Sequence, residues 1–372
     1  MATEVLPDAR DLRLGRRERA LEQMAAHDLD VLVLGRQANI RYVTGAPQLW
    51  VAGTRPFGPS CVLVRETGAI HLLSTWDEGV PHDIPHENLY GISWNPMNTM
   101  SALRRIDGAA SARRVGTDAL SPAFAQLLPT AFPNAELVDG ERAMRAARRI
   151  KTDDEVAALR AAIAVAESGL AATVAELQPG VREQTLAGVM LEAMAAGGVS
   201  TPANQEFAWI TSPDHPWRRV DGDGRVKDGD LVAFSAGVLA GGYMGEVGRT
   251  WPAGGAGGAS ALYRRWDKLC ARLLAACQPG AAAGELLAAY EAAGEPAPPM
   301  PVARGLGMGF DPPVVSQHLP RTAANERLEP GMVLAVTGYV WQQGVGAVFG
   351  REAVLITSYG PQVLTSSPHW QG

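Results

Sequence analysis

A chain of 372 residues is long enough for two domains and a sizeable buried core. Its hydrophobic fraction of 47% and charged fraction of 19% are ordinary for a soluble globular protein, and a formal net charge of −6 argues against a nucleic-acid partner, whose footprint is basic. Cys61, Cys270 and Cys277 show no CxxC spacing, which predicts reduced thiols in a cytoplasmic protein. The first residues lack the apolar stretch of a secretory signal and no long uninterrupted apolar run follows, so no membrane association is expected.

Residues 12–26 carry a charged helical pattern, and the run DLDVLVL at 28–34 reads as a buried strand. The segment NIRYVTG, Asn39 to Gly45, comes next. Residues 59–64, 70–74 and 114–118 read as further strands with helical stretches between them, an alternation that favours an α/β layer. Thr152 with Glu155 three positions on is a capping-box pattern and predicts a helix that continues through Leu170. Leu231 to Phe234 forms a buried-strand run, broken by Gly237, Gly241 and Gly242. A second segment then runs from Tyr243 to Trp251, a hairpin whose side chains would line a pocket. Residues 254–258 read as a flexible connector and 296–301 (PAPPMP) as a stiff one.

In that hairpin, Ser235-Ala236-Gly237, Gly241-Gly242-Tyr243, Gly245-Glu246 and Arg249-Thr250 fall, without a gap, at the spacings of a D-A-G, G-G-Y, S-D, R-T pattern. The pattern resembles the first metal-binding motif of the creatinase/aminopeptidase P family, the pita-bread hydrolases. The NIRYVTG segment is similar to the family's N-terminal N-I-R-Y-L-T-G signature. Residues 148–155 (RRIKTDDE) resemble the R-x-I-K-S/T-x-x-E signature that opens its catalytic domain, and 178–183 (QPGVRE) its helix–turn–helix. The resemblance implies an α/β (α+β) fold: a creatinase-type N-terminal α/β domain over residues 1–147 and a pita-bread domain over 148–372. In the latter, the active site lies on a curved sheet.

The family holds two divalent metals with two aspartates, a histidine and two glutamates, and the metals generate a hydroxide nucleophile. Carried over residue by residue, the aspartate positions are Ser235 and Glu246. The histidine of G-H-G-x-G becomes Arg304, and the glutamate of G-M-V-x-x-x-E-P becomes Thr337. The last glutamate, before the V-L-V-T strand, becomes Arg351, or Glu352 if the register slips by one. Fixed guanidinium charge where metal charge would sit suits an anion held by bidentate hydrogen bonds instead. The expectation is therefore no metal and no cofactor.

A metal-free member of the fold, creatinase, works by general acid–base catalysis from a histidine, with carboxylates gripping a guanidinium substrate. The matching region here is 209–219. Family spacing lands near Arg218, and His215 is the histidine candidate in that region, against a surface-turn role in S-P-D-H-P. Glu246 is the candidate base or cation grip, drawn to Arg304 or Arg249, against a purely structural ion pair. His318 and Asp311 fall in a region similar to the family's substrate-contacting H-E-P-P. Arg304, Tyr243, Arg351, Glu352 and Tyr339 complete the substrate-binding candidates, and Arg249 reads as a scaffold ion-pair residue. In creatinase-like dimers an aromatic and an arginine from one subunit's N-terminal domain reach the other pocket; Trp50, Arg55 and Phe57 stand where such residues would originate, in a loop that reads equally as bland surface.

These readings imply a metal-independent hydrolase or lyase acting on a small amino-acid-like or guanidino-type molecule, in a homodimer or a heterodimer with a sister protein. A catalytically inactive pseudo-peptidase used for binding is the alternative from another class. A metal-dependent Xaa-Pro aminopeptidase or dipeptidase is the third.

Overall fold

In the computed structural model, the residues described are 10–46, 58–74, 79–199, 202–203, 207–220, 222–255, 258–318 and 324–371, with the Phe310 side chain left aside. The chain divides into two compact units, Asp8–Arg148 and Arg149–Gly372. The first contains α1 (Arg10–Ala26), β1 (Val31–Leu34), α2 (Gln37–Thr44), β2 (Cys61–Val64), β3 (Ile70–Leu73), β4 (Leu89–Tyr90), α3 (Pro96–Arg104), β5 (Arg114–Thr117), α4 (Pro122–Leu127), β6 (Glu136–Asp139) and α5 (Glu141–Arg149). Its described strands form one sheet in the order β4-β3-β2-β1-β5-β6. The NIRYVTG segment is helical: it forms the end of α2, closed by Gly45 at φ 72, a left-handed cap that glycine adopts without penalty.

The second unit opens with α6 (Asp153–Ala175), started by the expected capping box between Thr152 and Glu155. After it come α7 (Glu183–Ala196), β7 (Ala208–Ile210), β8 (Leu231–Ala240), β9 (Tyr243–Pro252), α8 (Ala259–Ala276), α9 (Glu285–Ala293), β10 (Ala303–Leu306), β11 (Phe310–Val315), β12 (Val333–Gln342), β13 (Gly346–Thr357) and β14 (Gly360–Val363). Its described strands lie in the order β11-β10-β12-β13-β9-β8-β7, with β14 beside β13. Gly237 does not break β8. The strand runs on to Ala240, and the hairpin turns at Gly241 and Gly242, at φ 57 and 88. α6 is long and apolar enough to cross a membrane by length and composition alone, yet its buried residues, among them Leu159, Ala162 and Ile163, pack within the unit.

The glycines of the hairpin explain how helices approach one face of this sheet. A Cβ on Gly245 would lie 2.2 Å from the Ala162 backbone, so α6 rests directly on β9 there. Gly338 and Gly350 are register partners on β12 and β13, and both make room for Trp266 of α8, whose Nε1 donates to the Gly338 carbonyl at 3.1 Å. Side chains alternate along a strand, so the residues next to these glycines point to the other face. Gly245→Ala should cost about 1–3 kcal/mol or more of stability through backbone collision. Gly188→Ala, at an exposed α7 position with open space around it, should gain about 1 kcal/mol. Urea denaturation of the two variants checks the contrast.

Candidate functional site

Strand register assembles the site. Ser235 on β8 stands opposite Gly248 on β9, Gly248 opposite Arg351 on β13, and Arg351 opposite Thr337 on β12. The neighbouring row holds Glu246 opposite Gly237, then Ala353 opposite Ala335, and Ala335 opposite Arg304 of β10. All of these side chains share one face, because directly paired residues project together. Ala335 and Ala353 are small and buried, and they leave the lane across which the Arg304 guanidinium extends to Glu246. Gly248 has a similar function: a Cβ there would collide with the Phe349 ring and the Arg351 Cβ.

Glu246 is 1% exposed and lies between two guanidiniums. Its Oε1 accepts from Nη2 of Arg304, and its Oε2 from Nη1 of Arg351 at 3.2 Å. Arg351 also donates through Nε to Thr337 Oγ1 at 3.2 Å and through Nη1 to Ser235 Oγ at 3.4 Å. Arg304 Nη1 lies 3.8 Å from the Met244 sulfur. Burial pushes the Arg351 guanidinium below its ordinary value; the Glu246 charge opposes this and the Arg304 charge adds to it. Thus the five positions that the motifs single out, Ser235, Glu246, Arg304, Thr337 and Arg351, converge on one cluster. One carboxylate there is shared by two cations, with hydroxyls from Ser235 and Thr337.

Several other expected residues are engaged elsewhere. Glu352, adjacent to Arg351, points to the opposite face, where Arg249 Nη1 lies 3.0 Å from its Oε1 and His369 Nε2 2.7 Å away; Thr365 donates to its Oε2. It is an internal ion-pair residue, not a substrate contact, and Arg249 belongs to that pair, not to Glu246. Arg249 also donates to the carbonyls of Gly248, Arg351 and Ser367, lacing β9 and β13 to the segment that follows β14. Tyr243 likewise faces α6 and donates to Glu155 Oε1 at 3.0 Å, so a buried scaffold contact replaces the expected substrate role. Asp311 is fully buried, with Lys151 Nζ 3.0 Å from its Oδ2. It sits opposite Gly305, whose side-chain direction is the reverse of Arg304's; a structural ion pair accounts for it.

Tyr339 does lie on the site face, paired with Phe349, and its Oη accepts from the Trp217 backbone N–H at 3.0 Å. Burial pushes its phenol pKa up, partly offset by that hydrogen bond. His215 is exposed in the turn before Trp217, its own N–H bonded within that turn to Ser212 Oγ at 3.2 Å; the turn is fastened to β12 by the Trp217 N–H on Tyr339 and by Trp341 Nε1 on the Ser212 carbonyl. His318 is exposed beyond β11, and no contact among the described residues brings it to the cluster. Trp50, Arg55 and Phe57 lie outside the described residues. Sequence reasoning missed Phe349 and Trp217. Phe349 was findable, two residues before Arg351 on a strand, whereas Trp217 reaches the site through a turn that no periodicity reveals.

The Metallopeptidase family M24 model matches residues 157–358, and the Creatinase/Prolidase N-terminal domain model matches 16–150. An uncharacterized hydrolase/peptidase of Sinorhizobium fredii is 27% identical over 98% of this chain and 97% of its own. A creatinase of a Bacillus species is 24% identical, over 95% of this chain and 90% of its own. Among solved structures, the Pyrococcus horikoshii prolidase superposes with a TM-score of 0.77 at 19% identity, covering 95% of this chain and 99% of that one.

On the helix-covered face, burial works to raise the Glu352 carboxyl pKa, but the His369 hydrogen bond, the Arg249 charge and the Thr365 hydroxyl together hold it below its ordinary 4.5. A depressed carboxyl contributes stability that is present above the unfolded value and is lost as pH falls through the folded one. Melting temperature should therefore drop as pH falls below about 4.5. Glu352→Gln should be less stable at neutral pH, by about 1–3 kcal/mol because Arg249 loses its charged partner but keeps its carbonyl acceptors, and should lack that component of the acid slope. A pH series of thermal melts on both proteins checks it.

Proposed function

The chain belongs to metallopeptidase family M24 and carries the Creatinase/Prolidase N-terminal domain, and from that premise we propose that it is a metal-independent, creatinase-type enzyme, a hydrolase or lyase cleaving a C–N bond in a small amino-acid-like molecule that bears a carboxylate. The observation that carries this reading is Glu246 clamped between Arg304 and Arg351 at the positions where the family resemblance implies metal ligands. Divalent ions need carboxylate, imidazole or thiolate donors. Of the five positions one alone is a carboxylate, both its oxygens accept from guanidinium, and the two arginines oppose a cation. The donor set does not fit a metal, and no step is drawn through one.

In its place the described residues of the cluster offer two guanidiniums and one carboxylate, in a buried setting where electrostatic attraction is stronger than in water. A substrate carboxylate is the complementary charge. Glu246 serves as the fixed counter-charge that holds both forks in place. Proton transfer is assigned to His215, whose turn is tied to Tyr339 through Trp217. This supports general acid–base work at the rim of the cluster.

A second reading is favoured by one specific observation. Both carboxylate oxygens of Glu246 are engaged by arginine, as expected of a pseudo-peptidase that binds without turnover. The similarity to prolidases favours an Xaa-Pro peptidase at the level of family, but that chemistry requires the ligands replaced here.

Elemental analysis of protein purified from manganese- and zinc-supplemented cultures should find metal well below one equivalent per chain, and chelators should leave ligand responses unaltered; a stoichiometric metal sinks the proposal. Arg351→Met should abolish thermal stabilisation by small carboxylates, and His215→Ala should remove turnover while keeping that stabilisation. Stabilisation with no turnover in the unaltered protein would select the binding role.

A further inference from the structure

The charged cluster continues into an aromatic wall on the same face. Phe349 and Tyr339 are register partners one step along β13 and β12 from Arg351 and Thr337, so their rings project beside the cluster. Trp209 packs against Phe349 with centroids 5.4 Å apart, and Trp217 against Tyr339 at 4.1 Å. Both tryptophans are only partly buried, although the rings behind them are in the core. Trp217 sits at φ 65, a conformation that a bulky residue rarely adopts. It is kept there by its N–H on Tyr339 and by Trp341 Nε1 donating to the Ser212 carbonyl at 2.8 Å. Such backbone is retained where the surroundings over-determine one position, and here that position is a ring face beside a charged site.

Charge decides what this wall receives. Phe349 and Trp209 already carry cations: the Arg351 guanidinium carbon lies 5.3 Å from the Phe349 centroid, and that of Arg219 5.8 Å from Trp209. A cationic arm would meet like charge, whereas a neutral apolar arm adds none and stacks on Trp217. Arg351, meanwhile, uses Nε and Nη1 on Thr337, Ser235 and Glu246, and its Nη2 makes no hydrogen bond among the described residues.

We propose that the ligand is a net anion of the N-acyl or aromatic amino-acid class. Its carboxylate accepts from Nη2 of Arg351, its aromatic or bulky apolar arm lies against Trp217, and guanidino compounds are rejected. This rests on the reading of the cluster as an anion site and narrows it to a substrate class.

Calorimetric titration of the full-length protein with N-acetyl-L-phenylalanine, N-acetylglycine and creatine tests it. The phenylalanine derivative should bind at least about tenfold tighter than the glycine one, from ring burial and stacking; creatine should give no heat. Trp217→Ala should erase most of that preference and leave N-acetylglycine affinity as it was, and Trp217→Phe should keep it. A readout needing no variant is tryptophan emission, which the phenylalanine derivative should change and N-acetylglycine should not. Equal affinity for the two acylated amino acids, or tightest binding of creatine, overturns the aromatic subsite and leaves the anion site standing. Failure of both carboxylates to bind, with Arg351→Met indistinguishable from the parent, overturns the anion site as well.

Discussion

The second unit depends on how a carboxylate with almost no exposure finds partners inside a sheet. A lone buried Glu246 would be costly; between Arg304 and Arg351 it is compensated on both oxygens. The compensation works only because three strands bring the groups to one face and because alanines in the intervening row leave room for a guanidinium to cross. Register, residue size and charge are therefore a single constraint here. A slip of one residue on β13 would exchange Arg351 for Glu352 and place two carboxylates together.

The sheet meets the same demand a second time on its other face. There Arg249 and Glu352 form the pair, with His369, Thr365 and the Ser367 carbonyl completing their hydrogen bonds. Arg249 also holds the carbonyl of Arg351 itself, so the two charge systems are separated by one peptide of β13. The face that packs on helices and the face that carries the site are supported by alternate side chains of the same strands. That is why glycines and charged residues intermingle so closely between Leu231 and Pro252.

Much of this was legible in the sequence. The capping box at Thr152, the hairpin from Leu231 to Pro252, and the motif positions at Ser235, Glu246, Arg304, Thr337 and Arg351 were all readable from spacing or from family resemblance. What spacing could not resolve was facing. Glu352 and Tyr243 are polar, near the motif and plausible, yet strand alternation turns both toward helices. Asp311 looked like a substrate contact because Lys151, 160 positions earlier, is invisible as its partner until the chain folds. Gly237 looks like a strand end because glycine is a strong local punctuator, but in the fold it lies within β8, opposite Glu246.

The segment that follows β14 ties itself back to the middle of the sheet. Thr365, Ser367 and His369 complete the hydrogen bonding around Arg249 and Glu352, and the His369 and Trp370 rings lie against Trp266 and Tyr263 of α8. A chain cut just after β14 would keep each of the unit's described strands and still lose partners from a buried ion pair, so the damage would fall at the centre of the sheet and not at its edge.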